Sequence, residues 1–80
     1  MVRKTDPVNL EYEAKAKNLL KAELKRKGMT YAQLAERLAE IGVQENERNL
    51  NNKISRGGFS AAFLIQCLEV IGVRDVRLDT

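Results

Sequence analysis

The stretch Asn46-Glu47-Arg48-Asn49-Leu50-Asn51-Asn52-Lys53-Ile54-Ser55-Arg56-Gly57-Gly58-Phe59-Ser60 reads as a short amphipathic helix, a glycine turn and the cap of a further helix. Asn46 is a good N-cap, and Glu47 places negative charge in the first turn, where the helix dipole favours it. With Leu50 and Ile54 turned toward a core, about 100° per residue puts Arg48, Asn49, Asn52, Ser55 and Arg56 on the opposite face. That face is polar, basic and free of acids. Asn49, Asn51 and Asn52 are weak helix formers, so their presence needs a reason: either local capping and turn formation, or amides displayed to a partner. Arginine and asparagine are shaped for bidentate hydrogen bonds to guanine and adenine edges in the major groove, whereas a merely solvated face more often mixes Glu with Lys. The segment 46–56 is therefore a candidate recognition helix.

Toward the N-terminus, Thr30-Tyr31-Ala32-Gln33 forms a capping-box pattern, with Met29 and Leu34 as its hydrophobic staple. Leu34, Ala35, Leu38 and Ile41 recur on one face of the helix that follows, Gly42 ends it, and Val43 turns back to the core. Before it, Asp6-Pro7 reads as N-cap and first helical residue of a long helix reaching about Lys27 and stopped by Gly28. Tyr12, Ala16, Leu19, Leu20 and Leu24 form its inner stripe, while Lys15, Lys25 and Arg26 face out and Lys21 lies on the flank. This basic face is either a solvated surface helped by the helix dipole or a contact for phosphate or another anionic partner. Residues 1–5 read as a mobile arm.

Toward the C-terminus, Gly57-Gly58 reads as a reversal with free backbone N–H groups. Ser60 caps the next helix, and Phe59 and Leu64 repeat the staple. Phe63, Leu64, Cys67, Leu68, Val70 and Ile71 give it a wide apolar face up to Gly72, with Cys67 a small core residue. Ala62, Ile65 and Glu69 point the other way, Ile65 being an ordinary exposed apolar residue or a subunit contact. Residues 73–80 alternate briefly; they pack on the core, pair as an edge strand, meet a second subunit or stay disordered.

Eighty residues make one domain at most, burying roughly 60% of the surface its unfolded chain exposes. The composition, 44% hydrophobic and 31% charged, is that of a globular chain, and strand-like alternation is almost absent before the tail. The expected architecture is all-α: one compact four-helix domain over 1–80 with a central helix-turn-helix, a mobile arm at 1–5 and a tail at 74–80. The net charge of +3 and pI near 9.2 permit nucleic-acid binding, and the distribution says more. Lys15 to Lys27 carries six basic residues against Glu23 alone, and Arg48 to Gly58 carries three with no acid.

The chain has no His and a single Cys, which removes an intramolecular disulfide, the commonest metal ligand and the commonest general base. Its acids are scattered, and Glu36 and Glu40 on one helix face suit pairing with Arg37, Lys or water. No catalytic residue, cofactor, metal or small-molecule substrate is expected. With no signal-peptide pattern and no apolar run near the roughly 18 residues of a membrane span, a cytoplasmic protein without a membrane partner is expected.

Leu24-Lys25-Arg26-Lys27-Gly28-Met29-Thr30-Tyr31-Ala32-Gln33-Leu34-Ala35-Glu36-Arg37-Leu38 resembles the start of phage-repressor-like (Cro/C1-type) helix-turn-helix domains. The likeness resumes at Ile54-Ser55-Arg56-Gly57 and at Leu68-Glu69-Val70-Ile71-Gly72-Val73. It departs in a longer link between Leu38 and Leu50, and in Tyr31 where family members often carry a phosphate-contacting Gln. The run from Glu45 to Gly57, followed by Phe59-Ser60-Ala61-Ala62-Phe63, is more closely similar to a family of short bacterial domains of unknown function.

The repressor resemblance implies a lambda-repressor-like fold and a transcription regulator bound to double-stranded DNA. In that reading Arg48, Asn49, Asn52 and Arg56 reach base edges, and Thr30, Tyr31, Lys53, Gly57 and Gly58 contact phosphates. Such domains usually act as two-fold dimers, with Ile65 and the tail available for self-association. The competing reading is a protein-interaction or adaptor module, antitoxin-like, on the same fold without nucleic acid. RNA is a third choice, weakened by the lack of exposed aromatics arranged to stack bases.

Overall fold

Four helices carry the regular structure of residues 6–78, the part of the chain that the computed structural model describes: α1 Pro7–Arg26, α2 Tyr31–Glu40, α3 Glu47–Arg56 and α4 Ala61–Val70. No strand occurs among the described residues, so the all-α, four-helix architecture is the one observed. The arm at 1–5 and residues 79–80 of the tail lie outside the described residues. Residues 74–78 are exposed and irregular.

Local chemistry starts three of the helices. Thr30 Oγ1 accepts from the Gln33 N–H at 3.1 Å while Gln33 Oε1 accepts from the Thr30 N–H at 2.9 Å, which closes the capping box of α2. Asn46 Oδ1 accepts from the Asn49 N–H at 2.8 Å to cap α3, and Ser60 Oγ from the Phe63 N–H at 3.0 Å to cap α4. Asp6 stands at the N-cap of α1, ahead of Pro7, without a side-chain capping bond.

One device ends three of them. The N–H groups of Met29, Val43 and Val73 each donate at 2.9 Å to the carbonyls of Leu24, Leu38 and Leu68, five residues back. This is the Schellman turn, and it needs the left-handed backbone that Gly28, Gly42 and Gly72 supply at φ 65°, 85° and 83°. Each turn folds a half-buried apolar residue back beside a buried leucine. Capping and core packing are therefore coupled at these three helix ends.

Leu20, Leu34, Leu38, Leu50, Ile54 and Cys67 have no exposed surface. Helices α1 and α2 each pack on both α3 and α4, with no close backbone approach within the pairs α1/α2 or α3/α4. The first half of the chain thus grips the second. Helix α3 is held by its Leu50–Ile54 edge, and its other side is left to solvent.

Two expected inner residues prove to be outer ones. Tyr12 is 60% exposed, because at about 100° per residue it lies about 80° from Leu20 and about 120° from Leu24. Glu13 and Ala16 are partly buried instead, and Lys15 stacks its ammonium 4.7 Å from the Tyr12 ring centroid. Ile41 is 48% exposed, because α2 ends at Glu40 and Ile41 is already the C-cap, out of helical register.

Candidate nucleic-acid interface

The outer face of α3 is built by its inner one. Burial of Leu50 and Ile54 fixes the rotation of the helix, and Arg48, Asn49, Asn52, Ser55 and Arg56 emerge exposed on the far side. Arg48 and Arg56 form no ion pair, and the Asn49 and Asn52 amides make no hydrogen bond, among the described residues. The asparagines divide in role. Asn46 caps, Asn51 accepts from the Ser55 hydroxyl at 3.2 Å, and Asn49 and Asn52 present their side chains outward. An α-helix with its side chains is about 10–12 Å across and the B-DNA major groove about 12 Å wide, so this face matches that groove in size.

Two open concavities flank it. One, of ≈ 810 Å³, runs between α3 and the start of α4 and is lined among others by Asn49, Asn52, Arg56, Gly58 and Ser60. The other joins Tyr31 at the start of α2 to Asn46, Glu47, Arg48, Asn49 and Asn51. The structure thereby brings Tyr31 to the first turn of α3. Thr30 is exposed beside it, with its hydroxyl accepting the cap bond. Burial pushes the Tyr31 phenol above its usual range, so it stays a neutral hydroxyl donor.

The glycine turn differs from its expected form. Gly57 is buried, and its N–H donates to the Ile54 carbonyl at 3.1 Å, so that amide is engaged within the fold. Gly58 is exposed. Both sit against Glu13 of α1: a Cβ on Gly57 would lie 3.4 Å from the Glu13 carbonyl oxygen, and one on Gly58 3.3 Å from Glu13 Oε2. The same Oε2 accepts from Asn9 Nδ2 at 3.3 Å. The sequence carries a signal for Glu13 outside the expected site residues: it stands seven residues before Leu20, on the same helix face.

Lys53 is also engaged. Its Nζ lies 2.6 Å from Glu45 Oε2 and 4.7 Å from the centroid of the Phe63 ring, a contact that ties the α2–α3 link, α3 and α4 together. Glu45 is largely buried and was not singled out in the sequence. Beneath the pair, the Cys67 thiol is pushed up to about 12 by burial and by the Glu45 carboxylate, with Lys53 acting in the opposite sense.

The fold and this face together define a small all-α domain in which the outer side of one capped helix stands exposed and free of acids. The chain belongs to the family described as Domain of unknown function (DUF6471), whose model matches residues 12–76. No curated protein and no solved structure matches it. No described helix is long and apolar enough to cross a membrane.

Proposed function

We propose that this domain is a DNA-binding helix-turn-helix protein, a cytoplasmic transcription regulator of the phage-repressor-like kind, that lays α3 in the major groove of double-stranded DNA. The observation that carries the reading is the acid-free outer face of α3, where two arginines and two asparagines stand exposed and unengaged while Leu50 and Ile54 are wholly buried. Arg48, Asn49, Asn52 and Arg56 read base edges; Thr30, Tyr31 and the Gly58 amide meet phosphates. Lys53 and Gly57, engaged by Glu45 and by the Ile54 carbonyl, serve the fold in this reading.

The test is a pair of variants on a selected DNA site. Arg48→Ala and Asn52→Ala should each weaken binding by ~1–3 kcal/mol, roughly 5- to 150-fold, and relax sequence preference. Unchanged affinity in both variants, with helicity intact, overturns the readout.

A second reading, a protein-interaction or adaptor module, is favoured by one observation: Ile65 and Val76, 61% and 45% exposed, line a concavity with Leu68 and Val73 that Glu69 and Arg74 complete. Within the DNA reading the same surface serves a homodimer. Affinity for the partner that barely changes with salt supports the adaptor, because phosphate binding must release counterions.

A further inference from the structure

Lys21 and Lys25, four residues apart, lie on one face of α1 and are exposed. They line a concavity with Leu24, Met29, Thr30 and Tyr31. Neither lysine has an ion-pair partner among the described residues, whereas the neighbouring Arg26 is neutralised by Glu23 at 2.6 Å. Tyr31 belongs to this concavity and also to the one it shares with Arg48 and Asn49. Tyr31 is therefore the shared point of a strip of mostly positive and hydrogen-bonding groups that runs from the end of α1, across the start of α2, to the first turn of α3, where Glu47 is its one acid. The Met29 turn holds the strip's corner in place, since its N–H to the Leu24 carbonyl joins the two helices beneath it.

We infer that Lys21, Lys25 and Tyr31 form a phosphate-backbone contact, a clamp on the DNA strand that lies beside the N-terminal end of α3. This rests on the DNA reading of α3 and extends it. Residues one helical turn apart have their Cβ atoms about 5–6 Å from each other, and the flexible lysine stems beyond them let two ammonium groups reach successive phosphates of one strand. Point charges on flexible stems hold phosphate without reading sequence, so the clamp sets register while the outer face of α3 sets specificity.

The experiment compares three proteins by fluorescence anisotropy on random-sequence duplex DNA between about 50 and 200 mM salt: wild type, Lys21→Gln/Lys25→Gln, and Lys15→Gln/Lys27→Gln as a charge-matched control at two exposed lysines outside the concavity. For the clamp pair, the slope of log K against log[salt] should lose about 1.8 units, two contacts at about 0.9 each. The control pair should lose much less. A clamp variant with the wild-type slope, or a control variant that loses as much, overturns the clamp while leaving the DNA reading intact. Absence of binding by the wild type at the lowest salt overturns both. Tyr31→Phe, which keeps the ring and removes the hydroxyl, should weaken binding to random and selected DNA by the same factor; a loss confined to one sequence contradicts a backbone contact.

Discussion

Glu45 Oε2 stands 2.6 Å from Lys53 Nζ, with the acid largely buried and the lysine side chain 42% exposed. The two partners are therefore unequal. Removing the cation strands a carboxylate that has little access to water, whereas removing the acid leaves an ammonium that can hydrate.

Lys53→Met should accordingly lower stability more than Glu45→Gln, about 2 against about 1 kcal/mol. At roughly 4–8 °C per kcal/mol for a domain of this size, thermal melts resolve the difference. Because the Lys53 ammonium is already engaged, Lys53→Met should leave the salt slope of DNA binding almost unchanged. A fall of about 0.9 would show that Lys53 leaves Glu45 for phosphate.

Gly57 sits at φ 73° and ψ −159°, a region essentially reserved for glycine, and its Cα faces the Glu13 carbonyl. Gly57→Ala should cost about 2–3 kcal/mol in urea unfolding. Gly28→Ala, at φ 65° with nothing within 4 Å of the added carbon, meets only the left-handed penalty of about 1 kcal/mol. The added carbon on Gly57 meets the Glu13 carbonyl at ordinary contact distance, so equal losses would show that its backbone region costs alanine no more than the left-handed one.

The Cys67 thiol, raised from its ordinary 9.0 to about 12, keeps its proton in the folded state at a pH where the unfolded chain loses it. Stability from this site is thus complete below pH 9.0 and is lost as pH rises toward 12. Urea melts of wild type and Cys67→Ala should therefore differ less at about pH 10 than at about pH 7. A thiol reagent at about pH 8.5 should label Cys67 readily in urea and hardly at all in the native protein.

If the Ile65–Val76 surface joins two copies, sedimentation at high micromolar concentration should show a dimer in the wild type and a monomer in Ile65→Asp, with unchanged helicity because Ile65 is exposed. A wild-type monomer at that concentration contradicts the self-association.

What was legible in the sequence is what depends on near neighbours. The caps at Thr30, Asn46 and Ser60, the stops at Gly28, Gly42 and Gly72, and the Leu50–Ile54 edge are all set within one or two helical turns. Glu13 against Gly57 and Gly58 was not legible in that way, because it joins positions more than forty residues apart, and an acid on an inner stripe reads as a break in the pattern. Tyr12 failed for a related reason: an aromatic residue looks like core, but eight residues from Leu20 the helical angle has drifted to the flank. In the Glu45–Lys53 pair the acid lies in a link with no regular structure, so no periodicity relates it to its partner on α3. The free face of α3 was readable because it follows directly from which two residues are buried.

The most direct measurement on the central claim is the anisotropy of fluorescent random-sequence duplex DNA titrated with wild-type protein between about 50 and 200 mM salt. Micromolar affinity with a steep negative salt slope is the expected result, since several phosphates must release their counterions. No binding at the lowest salt would contradict DNA recognition by α3 and would leave its asparagines and arginines to a protein partner.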